Sequence, residues 1–260
     1  MKEFLGIGGY SRPAEGAYSW QHLTFVSCLL LAMTILAVVL GIRNREKTEK
    51  QKNLVLIWAA ILIDCFEIFK IVVLCIRGEG LEPILYNLPL FLCSIQLITI
   101  PLAAFSKGRI REAALDFVCI FGILGALLGT YGAGNNYSVY PVLSFDNVVS
   151  GLTHTISGFA SLYIMISGMS SMKKKNIAIT FGILFAFCIA AYIANVCLDY
   201  NYMFLMRGDG TPYDILFNLV QGHQVLYPCC VVLLFILYIC IFYTVSFLVR
   251  KKQKVTITIS

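Results

Sequence analysis

The chain has 260 residues, of which 59% are hydrophobic and only 13% are charged. Soluble domains average about 25% charged and roughly 45–50% apolar residues, so this sequence has too few polar side chains to cover a globule in water. Lys and Arg number 20 against 14 Asp and Glu, which gives a formal net charge of +6. In a membrane protein, surplus basic residues indicate which loops face the cytoplasm, so this surplus does not predict a nucleic-acid partner.

Seven apolar stretches reach the length of about 17–25 residues that a helix needs to cross a bilayer. Lipid offers the backbone no hydrogen-bonding partners, and no alternation typical of barrel strands is visible, so each stretch is predicted to be a helix. Because the loops are short, we expect one all-α membrane domain over residues 1–260, a bundle of seven transmembrane helices. The predicted helices cover residues 22–42, 53–76, 86–105, 112–131, 148–169, 176–199 and 223–249.

The basic residues are concentrated in alternate connections. Lys70 falls within a span, and four of the others (Lys2, Arg12, Arg77, Arg207) lie on one side. The positive-inside rule therefore predicts an N-terminus outside and a C-terminus in the cytoplasm. The cytoplasmic set comprises Arg43, Arg45, Lys47, Lys50, Lys52, Lys107, Arg109, Arg111, Lys173, Lys174, Lys175, Arg250, Lys251, Lys252 and Lys254.

The second predicted helix carries three ionisable side chains, Asp64, Glu67 and Lys70. At 100° per residue they share an arc of roughly 120°. Ionisable groups inside a span are costly and often functional. Glu67 and Lys70, three residues apart, can pair and so reduce that cost. The sequence leaves open whether the pair only fixes the helix register or belongs to a site.

Further polar side chains fall at a similar depth. With a rise of about 1.5 Å per residue, Lys70 and Cys93 lie about 10 Å below the outer boundary, and Gln96 lies one turn deeper than Cys93. His154 lies roughly 9 Å below the same boundary. These depths predict a polar cavity that opens toward the outer leaflet. More polar residues follow at the outer ends of the last two helices: Asn195, Asp199, Asn201, Tyr202, His223 and Gln224.

These residue types are suited to acyl transfer. A thiol in apolar surroundings is inert unless a base or a cation stabilises its thiolate. His154 can serve as the base for Cys93, and Lys70 can add a favourable field. Glu67 can orient the imidazole, as in a Cys–His–acid arrangement. A histidine that only bridges two helices by a hydrogen bond fits the same spacing.

Other motifs predict packing. Gly125 and Gly129 form a G-x-x-x-G pair, which permits close approach of another helix. The ten cysteines include no C-x-x-C pair and no spacing with histidine typical of a zinc site, so no metal is predicted. No flavin or nicotinamide fingerprint is present, and no cofactor is expected.

Four stretches resemble the bacterial YwaF family of integral membrane proteins, over nearly the whole chain. They are Leu88-Pro89-Leu90-Phe91-Leu92-Cys93-Ser94-Ile95, the Glu67-x-x-Lys70 pair, the Gly-x-x-His154 region and Asn201-Tyr202-Met203-Phe204-Leu205. That family is similar to a eukaryotic transmembrane acyltransferase that places fatty acyl groups on lyso ether phospholipids.

The resemblance implies Cys93 as the nucleophile and His154 as the base. The family usually has a histidine two residues before the cysteine, where this chain has Phe91. If that histidine takes part in catalysis, this chain is impaired or uses His154 or His223 instead. The resemblance also implies a multi-pass protein of the bacterial inner membrane.

Together these features predict an acyltransferase or acyl hydrolase that acts on phospholipid or lipid-linked substrates, with membrane lipids as partners, including a lysophospholipid or an acyl lipid. The predicted substrate-binding residues are Glu67, Lys70, Gln96, Asn201, Tyr202 and His223. One alternative is a small-solute transporter or binding protein that uses Glu67 and Lys70, although no inverted repeat is evident. A second is a seven-helix receptor or scaffold. The sequence leaves the oligomeric state open.

Overall fold

The protein is predominantly helical in the part of the chain that the structure describes. A computed structural model describes residues 2–259, with the side chains of Glu79 and of residues 250–259 excluded. Helices take up 72% of the chain, and the described residues contain no strand. The all-α prediction is confirmed. The side chains of Arg250, Lys251, Lys252 and Lys254, which the sequence assigns to the cytoplasmic side, are among those excluded.

The chain forms two compact units, residues 1–170 and 171–260. The first unit contains seven helices of varied length: α1 (Trp20–Asn44), α2 (Glu49–Leu74), α3 (Glu82–Tyr86), α4 (Gln96–Phe105), α5 (Gly108–Thr130), α6 (Gly134–Val139) and α7 (Phe145–Ile166). The second contains α8 (Ile177–Leu198), α9 (Asp214–Leu219) and α10 (Leu226–Ile259).

Hydroxyl side chains begin three of the long helices. Ser19 accepts a hydrogen bond from the backbone N–H of His22 at the start of α1. Thr48 and Gln51 form a capping box at the start of α2, and Ser144 caps α7. Each cap satisfies an N–H group that the helix itself leaves without a partner.

Within the described residues, five helices are long and apolar enough to cross a membrane, namely α1, α5, α7, α8 and α10. Helix α2 has 26 residues, which correspond to about 39 Å, but Asp64, Glu67 and Lys70 interrupt its apolar run. Helix α4 has only ten residues, or about 15 Å, half of the roughly 30 Å hydrocarbon core. The structure thus supports five spans of the seven predicted.

Residues 86–105 differ from the single helix expected there. The chain ends α3 at Tyr86, runs through a turn, and begins α4 at Gln96. Pro89 accounts for part of the break, because it lacks a backbone N–H and disfavours helical geometry in the preceding residue. The Ser94 hydroxyl adds to the break by accepting from the Phe91 N–H and donating to the Phe91 carbonyl oxygen, which replaces helical bonds with local ones.

Helix α5 lies at the centre of the first unit and packs against α4 and α7. Its buried face alternates small and bulky residues, among them Ala114, Phe117, Phe121 and Ala126. The small residues let neighbouring backbones come close, as is typical of helix interfaces in membranes. Helix α7 packs in turn against α1 and α2, so α1, α2 and α4 are arranged around α5 and α7.

One end of the first unit is held by polar contacts between connections. The Asn53 side chain donates to the Ala104 carbonyl oxygen (2.7 Å), and Arg111 donates to Asn53 (3.3 Å). The Tyr163 hydroxyl donates to the Lys52 carbonyl oxygen (3.0 Å) and accepts from Asn44 (3.2 Å). These bonds tie the basic α1–α2 turn to the α4–α5 hairpin and to the end of α7.

The opposite end is covered by the N-terminal segment, residues 2–19. Arg77 and Asp146 form a bidentate pair (2.9 and 2.8 Å), and their side chains are only 7% and 9% exposed. The Tyr10 hydroxyl donates to Asp146 (2.5 Å) and accepts from Arg77 (2.9 Å), while Arg77 also donates to the Leu5 carbonyl oxygen (2.6 Å). Burial and the bond to Asp146 raise the pKa of Tyr10 to about 12. We call this arrangement the N-terminal latch.

The second unit is built on α8 and α10. Thr180 on α8 and Tyr243 on α10 are hydrogen-bonded through their hydroxyl groups (2.9 Å). After α8, Asp199 adopts the left-handed conformation that ends a helix. Met203 and Phe204 also have positive φ angles, so the loop that follows is held in an uncommon conformation by the side-chain bonds described below.

Candidate active site

The ion pair predicted on α2 is present. Lys70 Nζ lies 2.6 Å from Glu67 Oε1, and the two side chains are 18% and 12% exposed. A pair so little exposed is held firmly, because loss of either partner would leave a charge in poorly solvated surroundings. Glu67 therefore bonds with Lys70, and the predicted contact that would orient His154 through Glu67 is not among the described interactions.

Cys93 lies in the turn before α4 and not within a long helix, as the sequence had indicated. The N–H of Ile95 donates to the Phe91 carbonyl oxygen (2.9 Å), so the chain already winds helically around the cysteine. The backbone N–H groups of Cys93 and Ser94 lie against the thiol sulfur. The Cys93 side chain is half-buried. The break in the third predicted helix thus places a thiol at the N-terminus of α4.

The two glycines of the G-x-x-x-G pair on α5 lie against the two candidate catalytic residues. A Cβ at Gly125 would stand 3.3 Å from the Cys93 Cα and 3.4 Å from its Cβ. A Cβ at Gly129 would overlap the imidazole of His154. Residues four apart on a helix lie on one face, about 6 Å apart along the axis. The small face of α5 therefore brings Cys93 and His154 into one neighbourhood.

Lys70 belongs to the same neighbourhood. Its charge acts on both the Cys93 thiol and the His154 ring, and the charge of Glu67 acts on Cys93. Three segments thus contribute to this site: α2, the turn before α4, and α7. We call the group of Glu67, Lys70, Cys93 and His154 the thiol–imidazole site.

Two of the three histidines use their rings in structural hydrogen bonds, whereas no such bond of the His154 ring is found among the described residues. His22 is buried, donates from Nε2 to the Thr130 carbonyl oxygen (3.2 Å) and accepts at Nδ1 from the Tyr18 N–H (3.0 Å). His223 is exposed, and its Nδ1 accepts from the backbone N–H groups of Val225 and Leu226, both at 3.3 Å, at the start of α10. The His154 ring is half-buried.

Gln96 begins α4, three residues after Cys93. The residue is 0% exposed. Its Oε1 accepts a hydrogen bond from the Thr99 hydroxyl (3.1 Å), while its Nε2 has no hydrogen-bond partner among the described residues. A buried donor without a partner is unusual in a folded protein and calls for an explanation.

Asn201 and Tyr202 were predicted to bind substrate, and both lie in the second unit. The Asn201 amide donates to the Arg207 carbonyl oxygen and to Asp209, each at 2.7 Å. Tyr202 is buried, and its backbone is held by the side chain of Asn195. These bonds organise the loop after α8, and the substrate-binding role of Asn201, Tyr202 and His223 stays a prediction.

Two polar features were missed at the sequence level. Asp116 is buried on α5, where the Ser170 hydroxyl donates to it (2.9 Å). The sequence contained an indication of this feature, because Asp116 is an acidic residue within an apolar predicted span. The pair of Arg77 and Asp146 gave no such signal, because its members lie 69 residues apart and outside the apolar runs.

A separate cavity of about 450 Å³ lies beside the N-terminal latch. None of its lining residues belongs to the thiol–imidazole site; they are Glu3, Phe4, Tyr10, Arg12, Pro141, Leu143 and Ser144. Among the described residues, no three His, Cys, Asp or Glu side chains are grouped so that they could hold a metal ion.

Comparison with known proteins places the chain in a family of transmembrane proteins. Residues 17–243 match the model of the TMEM164 family, which is most of the chain. The chain is an integral membrane protein and belongs to the TMEM164 family. No curated protein and no solved structure matches it.

Proposed function

We propose that this protein is a membrane acyltransferase or acyl hydrolase that uses Cys93 as nucleophile and His154 as base on a phospholipid or other acyl-lipid substrate. The observation that carries the proposal is the small face of α5, where Gly125 meets Cys93 and Gly129 meets His154. The likeness of the sequence to the YwaF family, and through it to a eukaryotic transmembrane acyltransferase, supports the same activity.

The chemistry follows from the residue types. His154 takes the thiol proton, and the Cys93 thiolate attacks the carbonyl carbon of a lipid ester. The new C–S bond forms as the carbonyl electron pair moves onto oxygen. When that pair returns, the C–O ester bond breaks, and the leaving lysolipid alkoxide takes the proton from the imidazolium. His154 then takes the proton of a lipid hydroxyl or of water, and that oxygen attacks the thioester carbon. The C–S bond breaks, the acyl group stays on the acceptor oxygen, and the Cys93 thiolate regains the proton from the imidazolium.

Lys70 supports this chemistry in two ways. Its charge acts on the Cys93 thiol, and a nearby cation stabilises a thiolate. A lysine at this depth also suits the phosphate of a lipid headgroup. Glu67 holds the Lys70 ammonium group (2.6 Å) and so keeps the cation beside the cysteine.

The proposal includes a location and an orientation. The site lies in the outer half of a bacterial inner membrane, with the N-terminus outside and the C-terminus in the cytoplasm. The support is the distribution of basic residues, which concentrate in alternate connections.

A thioester-trapping experiment tests the activity. Purified protein in detergent is incubated with a phospholipid that carries an alkyne-tagged acyl chain. Wild type is expected to acquire a tag that hydroxylamine removes and to release lysophospholipid. Cys93→Ala is expected to do neither, because no other side chain at the site forms a thioester.

Cys75→Ala is the matched control, since Cys75 is half-buried like Cys93 and also free; it should label like wild type. An untagged wild type, or equal tagging of wild type and Cys93→Ala, contradicts the proposal. Solute uptake that depends on Glu67 and Lys70 but not on Cys93 would instead favour the transporter alternative.

A further inference from the structure

Acyl transfer needs more than a nucleophile and a base. As the thiolate attacks, negative charge develops on the carbonyl oxygen, and enzymes meet it with hydrogen-bond donors that are already in place. Backbone N–H groups and side-chain amides are the usual donors. The surroundings of Cys93 contain both kinds.

The backbone donors come from the turn that precedes α4, which begins at Gln96. Within the helix, the N–H groups of Leu97, Ile98 and Thr99 already donate to the carbonyl oxygens of Ser94 and Ile95. The N–H groups of Cys93 and Ser94, in the turn, are directed at the Cys93 thiol, which is where a bound carbonyl carbon must be placed.

The side-chain donor is Gln96. Residues 91–97 are wound into turns by the bonds from Ile95 N–H to the Phe91 carbonyl oxygen and from Leu97 N–H to the Ser94 carbonyl oxygen. Cys93 and Gln96, three residues apart, therefore share a face. Side chains on a helix lean toward its N-terminus, and this direction carries the Gln96 amide toward the turn that holds Cys93.

The amide is oriented for donation. Its Oε1 is held by the Thr99 hydroxyl, so the Nε2 group faces away from that bond and lacks a partner among the described residues. The residue is 0% exposed, so its amide is shielded from bulk solvent. An apolar side chain would fill the same space without this cost. A transient oxyanion would supply the missing acceptor.

We propose that the Gln96 amide and the backbone N–H groups of Cys93 and Ser94 form the oxyanion-binding side of the active site. The inference rests on the proposed acyl transfer. When Cys93 Sγ bonds to the carbonyl carbon, the carbonyl electron pair moves onto oxygen, and Gln96 Nε2 donates to that oxygen. When the pair returns, the ester C–O bond breaks and His154 protonates the leaving alkoxide.

Steady-state kinetics with the alkyne-tagged phospholipid, on full-length protein in detergent, test the assignment. Gln96→Leu is expected to lower kcat by about 10²–10³-fold, with KM changed by no more than about twofold, because the donated bond exists only in the transition state. Thr180→Val, which also removes a buried polar group on a different helix, serves as the control and should retain wild-type kinetics.

Gln96→Glu gives a readout that a structural role would not affect. A carboxyl group donates a hydrogen bond only when protonated, so the rate of Gln96→Glu relative to wild type is expected to rise as the pH falls. If Gln96→Leu fails to elute as a monodisperse protein, the pH dependence of the Gln96→Glu rate still tests the oxyanion assignment.

Three results would overturn the oxyanion assignment while wild type still acquires the tag on Cys93. They are a wild-type kcat in Gln96→Leu, an effect of Gln96→Leu on KM alone, and a ratio of the Gln96→Glu rate to the wild-type rate that does not change with pH. If wild type itself forms no adduct, the proposed function fails and the assignment fails with it.

Discussion

Gly125 and Gly129 lack side chains, and for that reason Cys93 and His154 can lie against the same face of α5. The two glycines differ in how much room they leave. At Gly125 a Cβ would be tight against the backbone of Cys93, at 3.3 Å, whereas at Gly129 it would overlap an aromatic ring. Packing and chemistry therefore depend on the same two positions.

We predict that Gly129→Ala displaces the His154 ring and lowers the rate of adduct formation by about 10²-fold, because misplacing a catalytic group by about 1 Å has effects of that size. Added volume in a packed interior also costs about 1–3 kcal/mol of stability. The rate is measured with the tagged phospholipid, and the stability by thermal unfolding in detergent.

The control for this substitution is Gly182→Ala on α8, where the added Cβ would have no atom within 4 Å apart from its chain neighbours and the backbone of its own helix. It should keep the wild-type rate and gain slightly in stability, since Ala favours a helix over Gly by about 1 kcal/mol. A Gly129→Ala protein that is destabilised but reacts at the wild-type rate would show that the contact only packs the helices.

At the scale of elements, the N-terminal segment is held to the first unit by the latch. The buried pair of Arg77 and Asp146 joins the chain after α2 to the first turn of α7, and Tyr10 bonds to both. The phenol is protonated at neutral pH and donates to Asp146, and burial and this bond raise its pKa to about 12. The segment is therefore part of the fold and not a loose terminus.

We predict that Arg77→Met destabilises this end by about 3–5 kcal/mol, because Asp146 is then left buried without its partner. The double variant Arg77→Met/Asp146→Leu should recover much of that loss, since no charge remains buried. Thermal unfolding and amide hydrogen exchange of residues 4–15 report the two effects.

The exposed pair of Arg207 and Asp209 provides the comparison. Its side chains are 50% and 41% exposed, and exposed pairs contribute about 0–1 kcal/mol, so Arg207→Met should change stability little. If Arg77→Met behaves like Arg207→Met, the latch does not hold the segment.

At the scale of the whole molecule, hydrophobicity and charge act together. Five described helices have the length and composition of membrane spans. In the first unit, the connections that carry most of the basic residues share one end, because Asn53, Arg111 and Tyr163 bond across them. The N-terminal segment lies with Arg77 and Asp146, where α2 ends and α7 begins. The helices of this unit thus alternate in direction as an up-and-down bundle does.

We predict that an epitope tag before Met1 is accessible to antibody in intact cells, or in spheroplasts if an outer membrane is present, whereas a tag after Glu46 is accessible only after permeabilisation. The physical reason is that segments rich in Lys and Arg are retained on the cytoplasmic side. Western blots of both tagged proteins control for expression. The reverse pattern would invert the orientation and place the thiol–imidazole site in the inner leaflet.

The sequence by itself determined the features that depend on local composition. Apolar runs predicted α1, α5, α7 and α8 to within a few residues, because the cost of placing a polar backbone in lipid acts on each segment separately. The spacing of Glu67 and Lys70 predicted their pairing, since residues three apart on a helix are neighbours wherever that helix lies.

Only the tertiary structure decided which residues meet. The turn at Cys93 depends on Pro89 and on the Ser94 hydroxyl within an otherwise apolar run, and a hydropathy pattern does not register such bonds. Gly125 and Gly129 predicted a close contact but not its partners, because a residue without a side chain indicates space and not what fills it. The convergence of Cys93, His154 and Lys70 is a long-range contact made through α5, and no periodicity along the chain encodes it.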